Sequence, residues 1–157
     1  MTASALSEQQ GDAIRKVLVV LARECEARAI AICDIGGNTI AQHSESDDLP
    51  IETASALASG AFAATRELAD TIGEPGFRSI CHRGQNSGIL IRALGSDFLI
   101  MVILGKTSIE GLVRLHVKKT ARQLESILAE TVGQTAQEAG AGKFEIEEKP
   151  GSEVVEA

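Results

Sequence analysis

The side chains able to do covalent or metal chemistry are few: three cysteines, Cys25, Cys33 and Cys81, and three histidines, His43, His82 and His116. Only Cys81 and His82 are adjacent. Neighbours in a strand point to opposite faces, so these two cannot serve each other as nucleophile and base. The histidines are scattered and no Cys-x-x-Cys occurs, which argues against a metal site. Gly36-Gly37 lacks the Lys-Ser/Thr and the following helix of a phosphate-binding loop. "DFLIMVILGK" at 97–106 ends in Gly-Lys but also lacks that spacing. The sequence therefore predicts no catalytic residues, no metal, no cofactor and no nucleotide held by the chain itself. Cys25 and Cys33 read as small buried hydrophobes.

Composition narrows the partners. The chain has 157 residues, one domain's worth, with a formal charge of −7 and four Phe but no Trp or Tyr. An acidic chain with so few stacking rings is unsuited to nucleic acid or carbohydrate. "MTASALSEQQ" has no secretory character, and the apolar run "FLIMVIL" at 98–104 is too short to span a bilayer. Reduced thiols in a cytoplasm fit best.

The elements follow from periodicity. Ser7 to about Ala27 reads as a helix capped by Ser7, with Ile14, Val17, Leu18, Leu21 and Cys25 on one stripe. Strands are predicted at 29–35 and from Thr39, joined by a turn at Gly36-Gly37-Asn38. A second helix opens at Pro50 with a nearby Asp or Thr as cap, runs to Ile72 and stops at Gly73. Strands at 77–83, 88–94 and 97–104 follow, the last apolar on both faces and therefore central. A third helix begins near Ser108, with Val113, Val117, Leu124 and Leu128 inward and Arg114, Lys118 and Arg122 outward. The order α-β-β-α-β-β-β-α predicts an α+β sandwich: a five-stranded antiparallel sheet with one helix on one face and two on the other. Residues 1–11 read as a flexible N-terminus, 12–132 as the domain, and 133–157 as an acidic, disordered tail. In that tail "KFEIEE" alternates apolar Phe144 and Ile146 with acid, a pattern suited either to a soluble end or to a short docking motif.

The second helix is unusual. Its middle, "ASALASGAFAAT" at 54–65, is small nearly all round and carries Gly60, which costs about 1 kcal/mol relative to Ala. Wound at 100° per residue, it places Leu57, Ala61, Ala64, Leu68 and Ile72 on one stripe, read as the sheet-facing one. Ala58, Phe62 and Ala69 form a flank, and Ser59, Ala63, Arg66, Glu67 and Asp70 a third arc. Either the helix is seated tightly in a core, or it touches its own sheet, a twin helix and another protein at once.

Three strings carry a resemblance: "ASALASGAFAATRELADTIGE" at 54–74, "HRGQNSGILI" at 82–91 and "TSIEGLVRLHVKKTARQLESI" at 107–127. In this order the chain resembles the Roadblock / dynein light-chain family, and within it the bacterial MglB-type proteins, over about residues 12–130. The resemblance implies a cytoplasmic homodimer whose sheets join through the third strand into ten strands, with the two second helices side by side. It implies Ala58, Phe62, Ala69, Phe77, Ser79 and Cys81 at the dimer interface. It implies a Ras-like small GTPase docked over Ser59, Ala63, Arg66, Glu67 and Asp70. GTP hydrolysis would be stimulated without an arginine finger, although Arg66, Arg78 and Arg83 could reach a bound partner. Arg66 and Glu67 depart from the smaller residues common in relatives. The alternative is a scaffold dimer that tethers a GTPase or another complex without changing turnover.

Overall fold

A computed structural model describes the backbone of residues 6–141 and the side chains of residues 6–133. The order is α1 (Glu8–Cys25), β1 (Ala27–Asp34), β2 (Thr39–Ser44), α2 (Ile51–Ile72), β3 (Ser79–Arg83), β4 (Gly88–Leu94), β5 (Phe98–Leu104) and α3 (Glu110–Ala141). The predicted order and fold class hold. All strand pairs are antiparallel, in the sequence β2-β1-β5-β4-β3 across the sheet. The doubly apolar β5 is central, as its composition requires.

Helix ends follow their local chemistry. Ser7 Oγ accepts from Gln10 N–H at 3.2 Å while Gln10 Oε1 accepts from Ser7 N–H at 3.0 Å, a reciprocal cap. The helix thus starts inside the stretch expected to be flexible, and Gln10 is buried. Pro50 opens α2 without a side-chain cap, so the expected Asp or Thr cap is absent, and Gly73 closes it at φ 75°. At the other end of the domain, α3 continues through Gly133 to Ala141, nine residues past the predicted boundary at 132. The tail residues Phe144 and Ile146 lie outside the described residues.

Strand alternation sorts the sheet into two faces. Ile30, Ile32, Leu90, Leu94, Ile100, Val102 and Leu104 pack beneath α1 and α3, meeting Ile14, Leu18 and Leu21 of the first and Val113, Val117, Leu124 and Leu128 of the second. On the other face Ala29, Ala31, Cys33, Ile91, Leu99 and Met101 receive α2. Ser108 Oγ ties the layers together, donating to Glu26 O and accepting from Gly105 N–H, each at 2.9 Å.

The seating of α2 reverses the sequence expectation. Ile51, Ser55, Ala58, Phe62 and Ala69 face the sheet, and Leu57, Leu68 and Ile72 are exposed at 70, 56 and 64 %. Ala64 is exposed as well, and Ala61 is half-buried. The reason is steric. On this face β1 offers only small side chains, Ala29, Ala31 and Cys33, so the helix lies close to it, Cys33 Sγ meeting Ser55 O at 3.9 Å, and Phe62 is the one ring in the buried cluster. At the β1–β2 turn the helix comes close: a Cβ on Gly37 (φ 90°) would lie 2.9 Å from Ala56 Cα. There the Ser59 hydroxyl donates to Ile35 O.

Because Phe62 is 3 % exposed and central to this seat, Phe62→Ala is expected to destabilise the fold by about 3–5 kcal/mol. Urea unfolding checks this; an unchanged midpoint would mean that α2 sits on another face.

Candidate functional site

Winding α2 about its buried line leaves two different exposed sides. One carries Leu57, Gly60, Ala61, Ala64, Leu68 and Ile72, an apolar stripe with no bulk at its middle. The other carries Ala63, Glu67 and Asp70, with Arg66 beside them, all exposed. Substituting Cβ for hydrogen at Gly60 meets no atom within 4 Å. Nothing in the chain itself therefore requires glycine there, and its helical cost is uncompensated within one subunit.

The neighbouring sheet surface is also incompletely covered. Ile80, Ile89 and Ile103 share the α2 face and are only partly buried, although Ile89 and Ile103 sit on inner strands. Cross-strand partners Ile89 and Ile103 lie in the row after Ile91 and Met101, and Ile80 stands opposite Ile91. Apolar side chains on inner strands with solvent above them form a surface that gains from being covered, at about 25 cal/mol per Å².

At the sheet margin β3 is an edge. Ala93 N–H donates to Arg78 O at 3.0 Å and Gly84 N–H to Ser87 O at 2.8 Å. Even-numbered residues of β3 therefore bond to β4, and the backbone groups of Ser79, Cys81 and Arg83 point away from the sheet. Such an edge is a template for another strand.

Several residues expected at a dimer interface stand elsewhere. Ala58, Phe62 and Ala69 are buried on the sheet-facing side of α2 within the single chain. The side chains of Ser79 and Cys81 turn toward α3: Ser79 Oγ accepts from Arg114 Nη1 at 3.4 Å, and Cys81 packs against the α1/α3 core. Only their backbones lie at the open edge. Phe77 is half-buried just before β3. Of the expected partner-binding arc, Ser59 is buried and bonded to the β1–β2 turn, while Ala63, Arg66, Glu67 and Asp70 are exposed. Arg66 and Asp70 help to line a cleft of about 510 Å³ with Glu74, Phe77, Arg78 and the β4–β5 turn. The residues missed from sequence are Leu57, Leu68 and Ile72 as surface, and Ile80, Ile89 and Ile103 beside them. Gly60 at the edge of the Leu stripe was the available signal.

The thiols are placed for packing. Burial pushes Cys25 and Cys33 up to about 11, and it also raises Cys81, aided by the nearby Glu110. Cys81 and His82 face opposite sides of the sheet. Hydrogen bonding from Arg114 holds Glu110 below the ordinary carboxylate range. Among the described residues no three His, Cys, Asp or Glu side chains converge as metal ligands. No described helix is long and apolar enough to cross a membrane.

The layering defines an α+β sandwich with a single helix on the side of the sheet where apolar residues remain uncovered. A model of the Roadblock/LC7 domain matches residues 14–104, more than half the chain, and the chain belongs to that family. Among solved structures it resembles an MglB described in a tetrameric arrangement (TM-score 0.77, 28 % identity, covering 81 % of this chain and 96 % of that one). It likewise resembles the gliding protein MglB of Thermus thermophilus (0.76, 28 %, 80 % and 96 %). The MglB of Myxococcus xanthus is similar too (0.74, 26 %, 80 % and 94 %). No curated protein matches the sequence.

Gly60→Ala is expected to raise the stability of the separated chain by about 0.5–1 kcal/mol. If the glycine serves a contact between chains, the same change weakens self-association. Unfolding at low chain concentration, set beside the concentration dependence of assembly, tests both halves. Unaltered assembly would leave the glycine without a role at this surface.

Proposed function

We propose that this Roadblock-family chain is a cytoplasmic, homodimeric regulator that binds a Ras-like small GTPase and stimulates its GTP hydrolysis, having no active site of its own. The observation that carries the reading is the outward apolar stripe of α2, from Leu57 to Ile72, with Ala61 and Ala64 at its middle and Gly60 at its edge. Two copies related by a two-fold axis can bury this stripe against each other, small residues allowing the helices to approach. Each copy would also cover the partner's Ile80, Ile89 and Ile103, while the open β3 edges pair. Burying a Leu or Ile side chain contributes about 1.5–3 kcal/mol, so three per subunit form a substantial contact.

The likeness to MglB proteins supports the partner class, and one of those relatives is named a gliding protein. With the apolar stripe spent on the twin, the arc of Ala63, Arg66, Glu67 and Asp70 remains for the GTPase. Ala63 lets partner backbone come close, and the charges around it set the partner's identity. Nucleotide and magnesium belong to the GTPase. The regulator's contribution is to hold the GTPase's own catalytic residues in productive geometry, the positioning part of phosphoryl-transfer catalysis.

Ala63→Arg is expected to leave assembly intact and weaken GTPase binding at least tenfold, about 1.4 kcal/mol. Titration against GTP- and GDP-loaded GTPase reads the binding, and single-turnover hydrolysis reads the stimulation. Undiminished binding would remove this surface from the proposal. Binding with unchanged hydrolysis would make the chain a tethering scaffold.

A further inference from the structure

On the opposite side of the molecule, α3 and the β3–β4 margin form a strip of positive charge that is only partly paired. Arg114 and Arg83 approach Glu110, at 3.0 and 3.9 Å. Lys118 and Arg122 continue the same flank of α3 and, among the described residues, have no acidic partner within 4 Å. Arg92 stands opposite Ser79 in the β3–β4 ladder, and Ser79 accepts from Arg114, so Arg92 joins the strip. Its Nε is buried and has no hydrogen-bond partner among the described residues. A buried guanidinium N–H without an acceptor costs free energy that an anion would recover.

Farther along the same flank, toward the C-terminal end of α3, lies an apolar pocket of about 220 Å³. It is walled by Leu94, Phe98, Leu128, Ala129 and Val132, with Asp97 and Glu125 at its rim. Basic strip and apolar pocket lie along the same flank of α3, the cations suited to the glutamates of the segment that follows and the pocket to its apolar residues. Residues 142–157 hold five glutamates and two lysines, with Ile146, Val154 and Val155 interspersed.

The lengths also agree. An extended chain covers about 3.3 Å per residue, against 1.5 Å along a helix. A segment turning back at Ala141 therefore passes roughly two helical residues for each of its own. Ile146 reaches about 17 Å, the level of Glu130 and Val132 at the pocket. Glu153 reaches up to about 40 Å, beyond Arg122, which lies about 29 Å back. Glu147 and Glu148 fall short of Arg122, so the later glutamates are the ones able to meet the cations.

We propose that the strip of Arg92, Lys118 and Arg122, with the adjoining Leu94–Leu128–Val132 pocket, is the docking surface for the chain's own segment 146–156. Ile146 seats in the pocket, and Glu153 and Glu156 lie against the cations. The β2 edge of the sheet is a poorer acceptor because Glu45, Asp47 and Asp48 follow it directly. This inference does not depend on the dimer or on the GTPase.

The test uses the full chain carrying Cys81→Ser and Ser152→Cys, with a nitroxide on the new thiol; Cys25 and Cys33 are buried. Amide signals of Lys118, Arg122 and Ala129 are expected to broaden. Lys118→Glu with Arg122→Glu, or high salt, should restore them without lowering the unfolding temperature. A one-to-one mixture of labelled chain and unlabelled, isotope-enriched chain should show no broadening in the latter. Sharp signals throughout, or broadening only in the unlabelled copy, would overturn the proposal.

Discussion

The burial of Phe62 beneath α2 fixes the rest of the arrangement. Its ring is 3 % exposed, in the cluster that also holds Ala29, Ala31, Cys33, Ile91, Leu99 and Met101, and the rotational position of α2 follows from that burial. Once Phe62 points down, helical geometry carries Leu57, Leu68 and Ile72 to the solvent side. Larger side chains on β1 would lift the helix, since Cys33 Sγ already meets Ser55 O at 3.9 Å. The exposed stripe is thus a consequence of small residues on a buried strand one layer beneath it.

The two faces of the sheet are treated differently. Beneath α1 and α3, long aliphatic side chains from two helices bury the middle strands, and only the edge residues Ile40, Ala41 and Cys81 of this cluster's strands stay partly open. Beneath α2, a single helix covers the β1 side and leaves Ile80, Ile89 and Ile103 partly open. The first face resembles an ordinary domain core. The second is short of one covering layer, and both α2 and the β3 edge border the gap. The missing layer is what the dimer would supply, and the strand edge is what would set its register.

Much of this was legible in the sequence. Turn glycines, the Ser7 cap and the doubly apolar β5 gave element order and sheet position, because these depend on local chemistry and period. The seat of α2 was not legible. Its two apolar stripes, one with Leu57, Leu68 and Ile72 and the other with Ile51, Ala58, Phe62 and Ala69, are similar in hydrophobicity, and side-chain size alone favours the first for the core. The shape of β1, a distant part of the chain, makes the opposite choice. The same limit applied to Ser59, whose hydroxyl finds Ile35 O only after folding. For Ser79 and Cys81, strand parity relative to α3 decided their direction, and parity needs the register of the β3–β4 ladder.

The central claim is that the outer face of α2 is an interface between copies of this chain. Sedimentation equilibrium of the intact protein tests it most directly. The account predicts a species of at least twice the 16.5 kDa chain mass at micromolar concentration, reduced to the single-chain mass by Leu68→Glu. A single-chain mass for the unaltered protein over the whole accessible concentration range would contradict it.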